Sequence, residues 1–161
     1  MRQERIRVFE EGFGAIKDSL NKLMRASDAK AVLIIDRDGR LITAQGDVAK
    51  IDLSAFATLS AADFAATAQL ASLIGEPEFT TLYHQGVKEH LYFSTIAEGL
   101  ILAVLFDQRT TLGLVRVRVK NTANELARIM VNIFKKSDEK PVGFGDDFTR
   151  EAENEIDKLF R

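Results

Sequence analysis

Residues 53–75, "LSAFATLSAADFAATAQLASLIG", hold a single ionisable side chain, Asp63, and no proline. Such an alanine-rich run without a breaker reads as a helix. Its length approaches a membrane span, but Ser54, Thr58, Ser60, Asp63, Thr67, Gln69 and Ser72 make it too polar for insertion. A helix so poor in charge is normally buried, either by its own chain or by a partner.

At helical spacing Ser54, Thr58, Ala61, Ala65, Ala68 and Ser72 form a stripe of small side chains. Phe56, Leu59, Leu70 and Leu73 lie elsewhere on the helix and are expected to pack on a sheet. A small stripe lets another backbone come close, which serves tight packing inside one chain or an interface with a subunit or partner. Two other helices are available to cover the second face of the sheet, so we read the stripe as an interface.

Those helices follow from periodicity. Ile6, Phe9, Phe13, Ile16, Leu20 and Leu23 fall on one helical face, giving a first helix that ends near Ala26, whose middle Gly12 and Gly14 weaken enough to allow a break or late start. Leu112, Val115, Val119, Ala123, Leu126, Met130 and Ile133 give a last one, and Lys135 and Lys136 suit its C-terminal end. Between them lie strand-like runs: 31–35, its hairpin partner through Leu41 and Ile42, then 79–85, 91–97 and 100–106. The order is helix, two strands, helix, three strands, helix, which predicts an α+β sandwich with a five-stranded antiparallel sheet. Residues 1–136 form one domain in this reading. Residues 137–161 are a linker, "SDEKPVGFGDD", followed by a short amphipathic helix carrying Phe148, Ala152, Ile156, Leu159 and Phe160.

Little in the sequence suggests catalysis or metal binding. The stretch "LIIDRDGRLI" resembles a calcium loop only superficially: counted from Asp36, the fifth and sixth places are Arg40 and Leu41, where an oxygen ligand and a glycine are needed. Asp36, Asp38 and Gly39 instead suit a hairpin turn. A three-residue loop at 86–88 would set His84 opposite His90, but two imidazoles beside Glu89 make a thin metal site, and ordinary strand histidines are the expectation. "GFGAIK" and "GFGDD" lack the context of a phosphate loop, and Ser94 lacks a nucleophile elbow. Arg109, Arg116, Arg118 and Lys120 could attract phosphate or an acidic partner, although a solvated face is commoner. No catalytic residue, metal ligand or cofactor is therefore assigned, and an enzyme is the least favoured class. A formal charge of −2 argues against a general nucleic-acid binder. The chain has no cysteine and opens without a signal-peptide pattern, so a cytoplasmic location is expected.

The series "AVLIIDRDGRLIT", "LSAFATLSAADFAATAQLASLIGEPEF", "YHQG" and "ILAVLFDQRTTLGLVRVRV" resembles the roadblock/dynein light-chain superfamily, and within it the bacterial regulators of gliding motility and cell polarity. The resemblance covers about residues 13–134, and "DDFTREAENEIDKLF" is similar to the C-terminal helix of those regulators. It implies a homodimer in which the small-residue helices pair, through Ser54, Ala68 and Ser72, and edge strands join two sheets, through Phe79, Thr81 and Tyr83. It also implies a Ras-like small GTPase of the MglA type as partner, recruitment to a cell pole, and activation of GTP hydrolysis without an inserted arginine. The partner-facing positions carry over to Thr58, Ala61, Ala62, Ala65 and Gln69, and the tail is expected to dock on the GTPase, away from the main interface, through Phe148, Ile156, Leu159 and Phe160. Competing expectations are a dimeric scaffold with no effect on nucleotide turnover and a small-ligand sensor domain.

Overall fold

The computed structural model describes residues 2–137. Helix α1 (Arg2–Ser27) leads into the hairpin of β1 (Ala31–Ile35) and β2 (Leu41–Gly46), and helix α2 (Leu53–Leu73) follows. Strands β3 (Thr81–Gln85), β4 (Glu89–Ile96) and β5 (Leu100–Asp107) form a meander, and helix α3 (Leu112–Ser137) ends the described chain. The antiparallel sheet has the order β2-β1-β5-β4-β3, so β2 and β3 are its edges.

β1 lies inside this sheet, between β2 and β5, and its five residues are all buried because both faces are covered. Alternation along the strands divides the core in two. Val32, Ile34, Tyr92, Leu102, Val104 and Phe106 pack beneath α1 and α3, with Leu20, Leu23, Val115, Val119 and Leu126 from those helices. Ala31, Leu33, Phe93, Ile101 and Ala103 face the other way, toward Ala57, Phe56 and Phe64 of α2. The axis of α2 runs over β1 and β2, while the rings of Phe56 and Phe64 reach Phe93 on β4, 6.4 and 5.9 Å between centroids.

Several boundaries differ from the sequence reading. Helix α1 is continuous through both glycines, because Gly12 lies where α3 comes close: a Cβ there would stand 2.3 Å from Cδ1 of Ile133. The third strand begins at Thr81, leaving Phe79 half-buried in the segment before it. The turn after β1 is held by Asp36, whose Oδ1 accepts from the amides of Asp38 at 2.9 Å and Arg40 at 2.8 Å, with Gly39 at φ 87°. Gly39 also lets α2 approach, since a Cβ would meet Cα of Thr58 at 3.0 Å. Among the described residues no helix is long and apolar enough to cross a membrane.

Candidate functional site

Asp52 caps α2, its Oδ1 accepting from the amide of Ala55 at 3.1 Å, which fixes where the helix starts and so which residues meet the sheet. Ala57, Ser60, Ala61 and Ala71 are buried and Phe64 is half-buried, so the sheet-facing side is made chiefly of small residues. The opposite side is apolar and exposed: Leu59 is 69% exposed, Leu70 54% and Leu73 83%, with Ala62 and Ala66 between them and Ile74 just beyond the helix.

This arrangement corrects the sequence reading in one respect. Leu59, Leu70 and Leu73 were expected against the sheet and stand in solvent, while Ala61, expected on the partner-facing stripe, is only 7% exposed and Ala68 is half-buried. The physical reason is distance: with Phe56 and Phe64 filling the space over β4, the helix seats closely on β1 and β2 through alanines and Ser60, and leucines would hold it off. The helical spacing of Leu59, Ala62, Ala66, Leu70 and Leu73 was visible in the sequence, but not the rotation that turns them outward. Of the other expected positions on this helix, Ser54, Thr58, Ala62, Ala65, Gln69 and Ser72 are exposed.

The flanks of α2 are distinguished by what they touch. Asp63 reaches the edge strand, with its Oδ2 2.5 Å from Nε2 of His84, so the side bearing Leu59 and Leu70 leans toward β3. Thr58 lies on the other flank, against the β1–β2 turn at Gly39. Among the described residues strand β3 pairs with β4 alone, leaving its outer edge without a partner there. Thr81 is exposed there, while Tyr83 turns its ring inward onto Phe106, 6.2 Å between centroids. The open edge and the leucine side of α2 thus belong to one continuous region.

The histidines do not face each other. Gln85 pairs with His90 and His84 with Leu91, because Gly86 bonds Glu89 across a tighter turn than expected. His84 therefore lies on the α2 face and His90 on the other, against Phe106 at 5.3 Å. Among the described residues no group of three metal-ligating side chains comes together. Arg109 is drawn back onto Asp107 at 3.0 Å, whereas Arg116, Arg118 and Lys120 lie exposed along α3. The hydrogen bonds from Arg109 hold the Asp107 carboxyl below the usual carboxylate range, and the Lys30 ammonium is raised by its bond to Glu89. These pairs fasten strand ends and lie away from α2. The tail residues Phe148, Ile156, Leu159 and Phe160 lie outside the described residues.

The Roadblock/LC7 domain family matches residues 15–106. Among solved structures, MglB of Myxococcus xanthus is 39% identical, with a TM-score of 0.72, and the match covers 75% of this chain and 91% of that one. MglB of Thermus thermophilus, described as a gliding protein, is 32% identical with a TM-score of 0.69, over 73% of this chain and 90% of that one. A Roadblock/LC7 domain from Streptomyces avermitilis shares the fold at 13% identity and a TM-score of 0.64, over 70% and 95% of the two chains. Sequence comparison with curated proteins gives no significant match. The domain match, the helix–sheet–helix layering and the strand order together establish that this chain belongs to the Roadblock/LC7 family, with MglB proteins among its similar structures.

Proposed function

We propose that this chain acts as a homodimeric regulator of a Ras-like small GTPase of the MglA type, accelerating GTP hydrolysis by repositioning the GTPase's own switch and catalytic residues. The observation that carries the reading is the uncovered apolar side of α2 beside the open edge of β3. Burying a leucine side chain is worth about 1.5–3 kcal/mol, so Leu59, Leu70 and Leu73 strongly favour a cover. A second copy joined across β3 supplies one, because its own α2 then lies alongside on the same face. Thr58, Ala65 and Gln69, on the flank away from β3, remain for the GTPase, with Ala62 at the border between that flank and the leucines.

The chemistry such a surface offers is limited and informative. Helix α2 contains no lysine or arginine, so it supplies no cationic finger to a transferring phosphoryl group. Acceleration then has to come from tighter binding to the hydrolysis-competent switch conformation than to the resting one. Close approach over alanines suits this role, since switch backbone can lie against the helix without displacing long side chains.

Single-turnover GTP hydrolysis by a purified Ras-like GTPase from the same genome, with and without this protein, tests the reading. Acceleration is expected, up to part of the roughly 10³–10⁵ range reached by activators that insert arginine. Ala65→Arg, at an exposed position, should leave the fold intact and abolish stimulation. Binding without acceleration would replace this proposal with a scaffold. Full stimulation by a folded Ala65→Arg protein would remove the GTPase from this surface.

A further inference from the structure

The face of the molecule opposite α2 carries an unneutralised charge. Along the outer side of α3, Arg116, Arg118, Lys120, Arg128 and Lys135 are exposed, and the helix's sole acid is Glu125. None of these bases has an ion-pair partner among the described residues. Arg116 and Lys120 stand one turn apart, an unfavourable spacing for like charges. Exposed Leu114, Val117 and Val131 lie on the same side of α3, giving it an apolar component as well. Nothing in the GTPase reading uses this surface.

Residues 138–161 have the complementary character. They hold eight acidic side chains against four basic ones. Helical spacing places Phe148, Ala152, Ile156, Leu159 and Phe160 together, with Glu153 and Glu155 on either flank of that stripe. The segment continues directly from the C-terminal end of α3. Its first ten residues, 138–147, can span up to roughly 33 Å, and the rise along α3 from Ser137 back to Arg116 is about 32 Å. A return path along the helix is therefore within reach, at the high effective concentration of a tethered ligand. We propose that the outer face of α3 is the docking site for the chain's own acidic segment 148–160, which lies antiparallel to α3 with its apolar stripe on Val117 and Val131 and its carboxylates among the bases.

The absence of cysteine makes the test direct, because Asn124→Cys on α3 places one nitroxide in the full chain. Amide signals of residues 148–160 should lose intensity in the labelled protein and recover on reduction of the label. Lys120→Glu with Arg128→Glu should prevent that loss, and adding Glu153→Lys with Glu155→Lys should bring it back. Glu153→Lys with Glu155→Lys alone, confined to the tail, should also prevent the loss, which keeps the test independent of any effect on the folding of α3. Undiminished tail signals in the labelled parent chain would overturn the proposal. So would signal loss only in a mixture where the unobserved chains carry the label, since the contact would then join two copies. If the tail stays unaffected while the full chain binds anionic phospholipid vesicles through Lys120 and Arg128, the face belongs to a lipid surface instead.

Discussion

At Gly46 the fold leaves room for a hydrogen atom and nothing larger. The residue sits at φ 97°, and an added Cβ would stand 2.4 Å from the Lys30 carbonyl oxygen and 2.9 Å from Cα of Ala31, both backbone atoms. Gly46→Ala should therefore cost at least about 2 kcal/mol, from strain and overpacking together, read as a lower thermal midpoint. Gly14→Ala is the opposite case: nothing lies within 4 Å of its Cβ, and a helix-interior glycine gives up about 0.5–1 kcal/mol to alanine, so the midpoint should rise. Asp107 makes a prediction of a different kind. Its Oδ1 accepts from the amide and Nε of Arg109, each at 3.0 Å, and these bonds lower its carboxyl in the folded chain, with the Lys30 ammonium adding to the effect. A group lowered on folding contributes stability above its unfolded value, near pH 4, and loses it as the pH falls through the folded one. Asp107→Asn should thus be less stable than the parent at neutral pH, and urea unfolding should show that gap closing as the solution is acidified below about pH 4.

At the scale of the element, the rotation of α2 decides which substitutions break the fold and which break the assembly. Ala61 is buried against the sheet side, so Ala61→Arg forces a guanidinium into a space sized for a methyl group, at a cost of several kcal/mol. The expected outcome is an unfolded or much less stable protein. Leu59→Arg and Leu70→Arg place the same group in solvent, and the stability of the isolated subunit should change by no more than about 0.5 kcal/mol. Circular dichroism melts of the three variants separate these outcomes. A collapse of Leu70→Arg at concentrations where the parent is monomeric would show that the helix is seated differently. Gly12 teaches the same lesson for α1. A glycine that weakens an isolated helix is accommodated because Ile133 of α3 occupies the place of its side chain.

At the scale of the whole molecule, the leucine side of α2 and the open edge of β3 lean toward each other, and one second copy would close both. Light scattering at micromolar concentration should give twice the mass of the chain, and Leu59→Arg with Leu70→Arg should shift the population to monomer while the subunit stays folded. A parent protein that remains monomeric would leave those leucines without a cover and would sink the dimer. Covered on α2 by a copy and on α3 by its own acidic segment, the molecule would keep for a partner the flank of α2 at Thr58, Ala65 and Gln69.

The order and type of the elements were legible without a structure because they depend on local periodicity. The apolar repeats of α1 and α3, the unbroken run 31–35, and Asp36, Asp38 and Gly39 in the intervening turn each specify their own conformation within a few residues. The near absence of charge in α2 likewise pointed to a helix that seeks cover beyond one face. What local periodicity could not decide was which side meets the sheet, because alanine and leucine both tolerate burial, and the choice follows from how closely Phe56 and Phe64 let the helix approach Phe93. The hairpin register that separates His84 from His90, the late start of β3 at Thr81 and the survival of α1 through Gly12 are of the same kind. Each is set by contacts between residues far apart in the chain or across a turn, where the packing of one element fixes the space left for another.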